Sequence, residues 1–165
     1  MLNGLGQVLK ALREPRLKIK NPRVDVENEN TKHEIKNLIF DIKNNGKTAA
    51  RVVKVRVKVK GIWDDFQEIV NPTFPTTSET FDVIPNDPKC IRLGQITKER
   101  PKVCEIYTRN LRAKGISLKN NPILKEGKAY QLEICLFGDN FSNKKTYRLV
   151  LDFSSWNKIG IKLNC

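Results

Sequence analysis

The stretch from Asp41 to Lys60, DIKNNGKTAARVVKVRVKVK, restricts the fold more than any other part of the chain. Val53, Val55, Val57 and Val59 alternate with Lys54, Arg56, Lys58 and Lys60. Successive side chains of a strand point to opposite faces, so a period of two describes a half-buried strand with one dry face and one cationic face. Just upstream, Leu38, Phe40 and Ile42 alternate in the same way. Asn45-Gly46 separates the two runs, and both residues accept the positive φ of a type I′ turn. The pattern predicts a β-hairpin joining the two strands.

Other segments repeat the rhythm. Leu5, Val8, Leu9 and Leu12 instead follow helical spacing until Pro15 stops them, which predicts a short basic amphipathic helix over 1–15. Basic residues collect around its end at Lys10, Arg13, Arg16, Lys18, Lys20 and Arg23. Such a helix either lies on anionic lipid or docks on the β body; the short stripe, without Trp or Phe, favours docking. Leu17/Ile19 and Val24/Val26 flank Asn21-Pro22, which predicts an edge strand or one that changes sheets. Residues 61–87 are irregular, with Trp63, Phe66, Phe74 and Phe81 as anchors of a packed loop. Ile91 and Leu93 face inward on the next strand, and Lys98–Lys102 is a charged turn before the strand VCEIYT. Residues 109–126 form a long connection with one short piece, GISL. Tyr130, Leu132, Ile134 and Leu136 share a face, as do Tyr147, Leu149, Leu151 and Phe153. Trp156 then caps the core, and IGIKL is a last strand. The expectation is one all-β domain over 16–165, an antiparallel β-sandwich of about seven to nine strands.

Composition narrows the function. The net charge is +13, and residues 1–60 carry 15 of the 31 basic side chains against 6 of the 18 acidic ones. That asymmetry points to an anionic partner, nucleic acid or a lipid surface, or simply to solubility. Cys90, Cys104, Cys135 and Cys165 are too scattered for a zinc site, and His33 is the only histidine. Mostly free thiols are expected, with a Cys90–Cys104 disulfide as the one alternative pairing. No apolar run reaches the roughly 20 residues that cross a bilayer, and MLNGLGQVLKALREP has no secretory pattern. These features place the chain in the cytoplasm or at the periphery of a membrane.

Three stretches carry a resemblance. NNGKTAARVVKVRVKV resembles the central hairpin of CARDB-like and other prokaryotic immunoglobulin-like domains. FDVIPNDPKCIRL is similar to their later aspartate–proline turn and strand, and LKEGKAYQLEICLFGDN to their penultimate strand. The resemblance covers roughly residues 16–163 and implies an immunoglobulin-like antiparallel sandwich. Such chains often begin with a basic stretch like Glu14–Lys18 just after transmembrane helices, which implies membrane tethering among them. It supplies no catalytic residues.

The chemistry-bearing residue types do not assemble into a reaction. His33 sits in the turn TKHE with no neighbouring nucleophile, and no glycine-rich phosphate loop is present. Asp64 and Asp65 are adjacent, so on an extended chain they diverge. We expect a non-enzymatic accessory binding or structural module with an unidentified protein partner, and no cofactor, metal or small-molecule substrate. Trp63, Phe66 and Phe137 are the candidate partner contacts. The alternative is a polyanion binder: Lys54, Arg56, Lys58 and Lys60 would form a cationic row about 20 Å long, extended by Arg13, Arg16, Lys18 and Lys20. Glu34 or Glu133 could neutralise that row from a neighbouring strand.

Overall fold

The computed structural model describes residues 2–70, 80–108, 123–141 and 145–164. Helix α1 (Leu2–Arg13) precedes eleven strands: β1 (Leu17–Glu27), β2 (Ile35–Asn44), β3 (Ala50–Val59), β4 (Gln67–Glu68), β5 (Phe81–Val83), β6 (Lys89–Thr97), β7 (Arg100–Ile106), β8 (Ile123–Lys125), β9 (Lys128–Phe137), β10 (Tyr147–Ser155) and β11 (Lys158–Leu163). The count exceeds the expected seven to nine because β4, β5 and β8 are only two or three residues long. β4 and β5 lie in the stretch expected to be an irregular loop, and β8 within the expected long connection. GISL and Phe74 lie outside the described residues.

The strands form two antiparallel sheets, β1-β2-β6-β7-β8 and β11-β10-β9-β3-β4, with β5 also paired to β3. The apolar faces meet in one core. Leu38, Phe40, Ile42, Ile91 and Leu93 from the first sheet pack with Val53, Val55, Val57, Val59, Leu132, Ile134, Leu149, Leu151 and Phe153 from the second. Each fully buried aliphatic side chain contributes about 1.5–3 kcal/mol of transfer free energy. The alternation of the valine strand, of β9 and of β10 therefore appears as read. β1 is the edge strand that its proline required. A bulge between Lys20 and Arg23 absorbs Asn21-Pro22, with Asn21 at φ 50°.

The sides of the two sheets are stitched. On one side the Tyr147 hydroxyl donates to the Leu17 carbonyl at 2.8 Å. On the other, the Val70 N–H donates to the Tyr107 carbonyl at 3.1 Å, and Ile69 bridges to Thr108.

The Asn-Gly segment is not a hairpin. β2 pairs with β1 and β6, whereas β3 pairs with β9, β4 and β5, so residues 45–49 carry the chain from one sheet to the other. Neither Asn45 nor Gly46 has a positive φ. Glycine is needed at 46 for a different reason: a Cβ there would lie 2.6 Å from the Glu14 carbonyl oxygen and 2.8 Å from the Arg16 nitrogen. Asn44 organises the corner. Its Oδ1 accepts from the Arg16 and Gly46 N–H groups at 3.1 and 2.9 Å. Its Nδ2 donates to the Thr48 and Val83 carbonyls at 2.7 and 2.9 Å.

The thiols are also placed. Cys90, Cys104 and Cys135 are free. Cys104 is in the core and Cys90 on the outer face of the same sheet, so the alternative disulfide does not form. Cys165 lies outside the described residues.

Candidate functional site

α1 carries no acidic residue, and the described part of its apolar stripe is not covered by the sheets. Leu5, Val8 and Leu9 are 69%, 58% and 47% exposed, which corrects the docking expected from the stripe's modest length. The tie to the β body lies just after the helix. Arg16 is held through its N–H by Asn44 Oδ1, and through its carbonyl by the Asn45 N–H at 2.8 Å. The helix therefore leaves the body at the corner between the sheets.

Exposed cations surround that exit. Arg16, Lys18, Lys20 and Lys47 are exposed, and Lys18 stands directly opposite Lys43 in the β1–β2 register. Like charges directly opposite one another destabilise a strand pair, and among the described residues neither lysine has an anionic partner to offset this. Arg13 belongs to α1, but its side chain is outside those described.

The valine strand's cationic row is more encumbered. The Arg56 guanidinium lies 4.5 Å over the Phe137 ring, and the Lys58 ammonium 6.0 Å over Phe66. Lys54 Nζ is 4.0 Å from Glu68 Oε1, and Lys58 faces Glu133 across the β3–β9 register. Glu133 stands opposite both Lys58 and Arg148 in register, and the carboxylate that reaches the row is Glu68. Glu34 does not reach it, because it precedes β2 in the other sheet and accepts from the Asn30 N–H at 2.9 Å. Only Lys60 of the four is exposed. The three aromatics named as partner contacts are likewise engaged: Trp63 packs on the core, while Phe66 and Phe137 lie against the cations of the row. Phe137 keeps 39% of its surface in solvent.

His33 Nδ1 lies 3.0 Å from Glu99 Oε1 at an exposed turn. Trp156 packs against the core as expected, with the Lys36 ammonium 4.4 Å over its ring. Burial pushes the Tyr107 phenol up to about 12, partly opposed by the nearby Arg92 guanidinium. Burial also raises the Cys104 thiol, and to a lesser degree the Cys90 thiol. Among the described residues no group of three His, Cys, Asp or Glu side chains could hold a metal ion. No helix among them is long and apolar enough to cross a membrane.

Arg16, Lys18 and Lys20, grouped by the sequence pattern, are exposed along the start of β1; the pattern gave no sign of Lys43, which only the strand register sets beside Lys18. It also missed the hydrogen bonds of Tyr130, whose hydroxyl accepts from the Lys125 N–H at 2.9 Å and donates to the Lys125 carbonyl at 2.6 Å. No family model matches the chain, and no curated protein or solved structure matches it.

Proposed function

We propose that this chain is a non-catalytic binding module, an immunoglobulin-like sandwich held at an anionic lipid surface by α1. The observation that carries the lipid reading is the stripe Leu5, Val8 and Leu9, exposed on a helix without acidic residues beside Arg16, Lys18, Lys20, Lys43 and Lys47. A twelve-residue helix with glycines at 4 and 6 is marginal in water on its own. A surface that takes its apolar face stabilises it, and anionic headgroups add about 1 kcal/mol for each nearby basic residue.

The immunoglobulin-like reading draws on half of the topology. β1-β2 and β3-β9-β10 correspond to the A-B and C-F-G strands of that fold. Tyr130, near the start of β9, makes the backward hydrogen bonds of a tyrosine corner. The strands beyond β2 depart from it. In the order ABED the outer strand D comes before E in the chain, whereas here β6 lies beside β2 and the outer β7 follows it. We read the fold as a variant in which the β6–β7 hairpin takes the place of D-E with its two strands in reversed order.

Co-sedimentation with vesicles tests the proposal. The protein should pellet with vesicles of equal parts phosphatidylglycerol and phosphatidylcholine, and not with phosphatidylcholine alone. The pair Leu5→Glu with Val8→Glu should weaken binding by roughly 100-fold or more, the loss expected for two buried aliphatic side chains. Unchanged binding by that variant refutes the helix as the contact. Binding to duplex DNA without binding to vesicles replaces lipid by nucleic acid.

A further inference from the structure

The outer face of the first sheet holds a hollow of about 250 Å³ lined by Asp25, Glu27, Asn37, Ile39, Cys90 and Arg92. Its polar groups are unevenly paired. Asn37 is 2% exposed, and its Nδ2 donates to Glu27 Oε1 at 2.9 Å. Its Oδ1 is buried with no hydrogen-bond partner. Rotating the amide would not help, because it would set that oxygen against the Glu27 carboxylate and break the existing bond. A buried acceptor without a donor is costly, and native structures rarely leave one.

The neighbouring carboxylates have acceptor capacity to spare. Glu27 Oε1 takes both the Asn37 amide and the Arg92 guanidinium, the latter at 3.1 Å, and Oε2 has no hydrogen bond among the described residues. Asp25 Oδ1 lies 3.5 Å from Arg23 Nε, and its Oδ2 has no hydrogen bond among the described residues. Arg23 is turned mainly toward Asp41, with NH1 at 3.1 Å from Oδ2. The hollow therefore borders one buried acceptor without a donor, Asn37 Oδ1, and two half-exposed carboxylates with acceptor capacity left, with the apolar Ile39 as part of its wall.

We infer that this hollow binds a primary alkylammonium group. Such a group has three N–H donors and no acceptor, which matches the unpaired oxygens of Asn37, Glu27 and Asp25. Its positive charge meets two carboxylates that each keep a second, solvent-facing oxygen beyond the one turned to Arg23 or Arg92, and its methylene stem suits Ile39. A free diamine and a lysine side chain of a peptide share this chemistry. At a net charge of +13 the chain as a whole repels cations, so the site works where salt screens the distant charges and leaves the contacts intact. It lies along β1 from the α1 exit, roughly 25 Å from Leu17 at the rise of an extended strand. Its test involves no lipid.

The test is a titration of ¹⁵N-labelled protein followed by NMR at about 0.15 M salt. The probes are 1,4-diaminobutane, Nα-acetyl-lysine methylamide and the uncharged 1-butanol. The Asn37 side-chain amide should shift saturably with both amines and not with butanol, and the tighter of the two identifies the source. Glu27→Gln, at an exposed position, should keep the fold and weaken binding about tenfold or more by removing a charged acceptor. Three results overturn the inference: no saturable shift, which leaves water as the occupant; equal shifts with butanol; or unchanged affinity in Glu27→Gln.

Discussion

Replacing Asn44 by alanine should unfold this protein far more easily than replacing its neighbour Asn45. Asn44 is 1% exposed, and its side chain makes the four backbone hydrogen bonds that fasten β2, the crossover, the start of β1 and the end of β5. At a net value of about 1 kcal/mol each, the four bonds amount to about 4 kcal/mol. The cost rises further where the Val83 carbonyl is left buried without a donor. Domains of this size are stable by about 5–15 kcal/mol, so the loss is a large fraction of the total. With a urea slope of about 2 kcal/mol/M, the unfolding midpoint should fall by about 2 M. Asn45→Ala should move it little, because the Asn45 contact to Arg16 runs through the backbone N–H, which alanine keeps. A hairpin with a type I′ turn reverses this order, since there the left-handed position makes Asn45 the sensitive residue. A midpoint for Asn44→Ala within about 0.5 M of wild type refutes the account of the corner.

Two further perturbations probe other parts of the fold. Val52 sits at φ 53° with its N–H on Asp82 Oδ1 at 3.0 Å, a left-handed conformation that is strained for a β-branched side chain; Val52→Asn should stabilise the protein by about 1 kcal/mol in urea unfolding, since asparagine tolerates that region. The folded chain holds the Cys104 and Tyr107 protons more tightly than the unfolded chain, so stability should be flat up to about pH 9 and fall as pH rises from 9 towards 12; Tyr107→Phe should flatten the upper part of that fall, measured as thermal unfolding against pH.

The sequence showed most clearly what a single strand decides alone. Val53–Val59, Tyr130–Leu136 and Tyr147–Phe153 alternate because one side of each strand is dry and the other wet, and that contrast is written residue by residue. Where a strand goes next is not written locally. Asn45-Gly46 announces a change of direction, but β3 is claimed by β9, a partner more than 70 residues away in the chain. The same limit applies to the candidate surfaces. The stripe Leu5, Val8 and Leu9 has one spacing whether it is covered or bare, so the spacing could not choose. Lys43 joined Lys18 only through register, and Phe137 met Arg56 only when β9 paired with β3. Asn37 gave no signal at all, because a polar residue between Lys36 and Leu38 reads as an ordinary outward position on a strand.

The double tie at Arg16 governs how tension on α1 would reach the rest of the molecule. β1 begins at the next residue, alongside the end of β2, so a tug on an unsecured Leu17 would peel the β1–β2 ladder rung by rung, which takes little force. With Arg16 pinned through both its N–H and its carbonyl, the pull passes instead into the junction of the two sheets. There the bonds of Asn44 Oδ1 and the Asn45 N–H to Arg16 must give way before any rung of β1 feels the load, which makes the junction a mechanical fuse between α1 and the body.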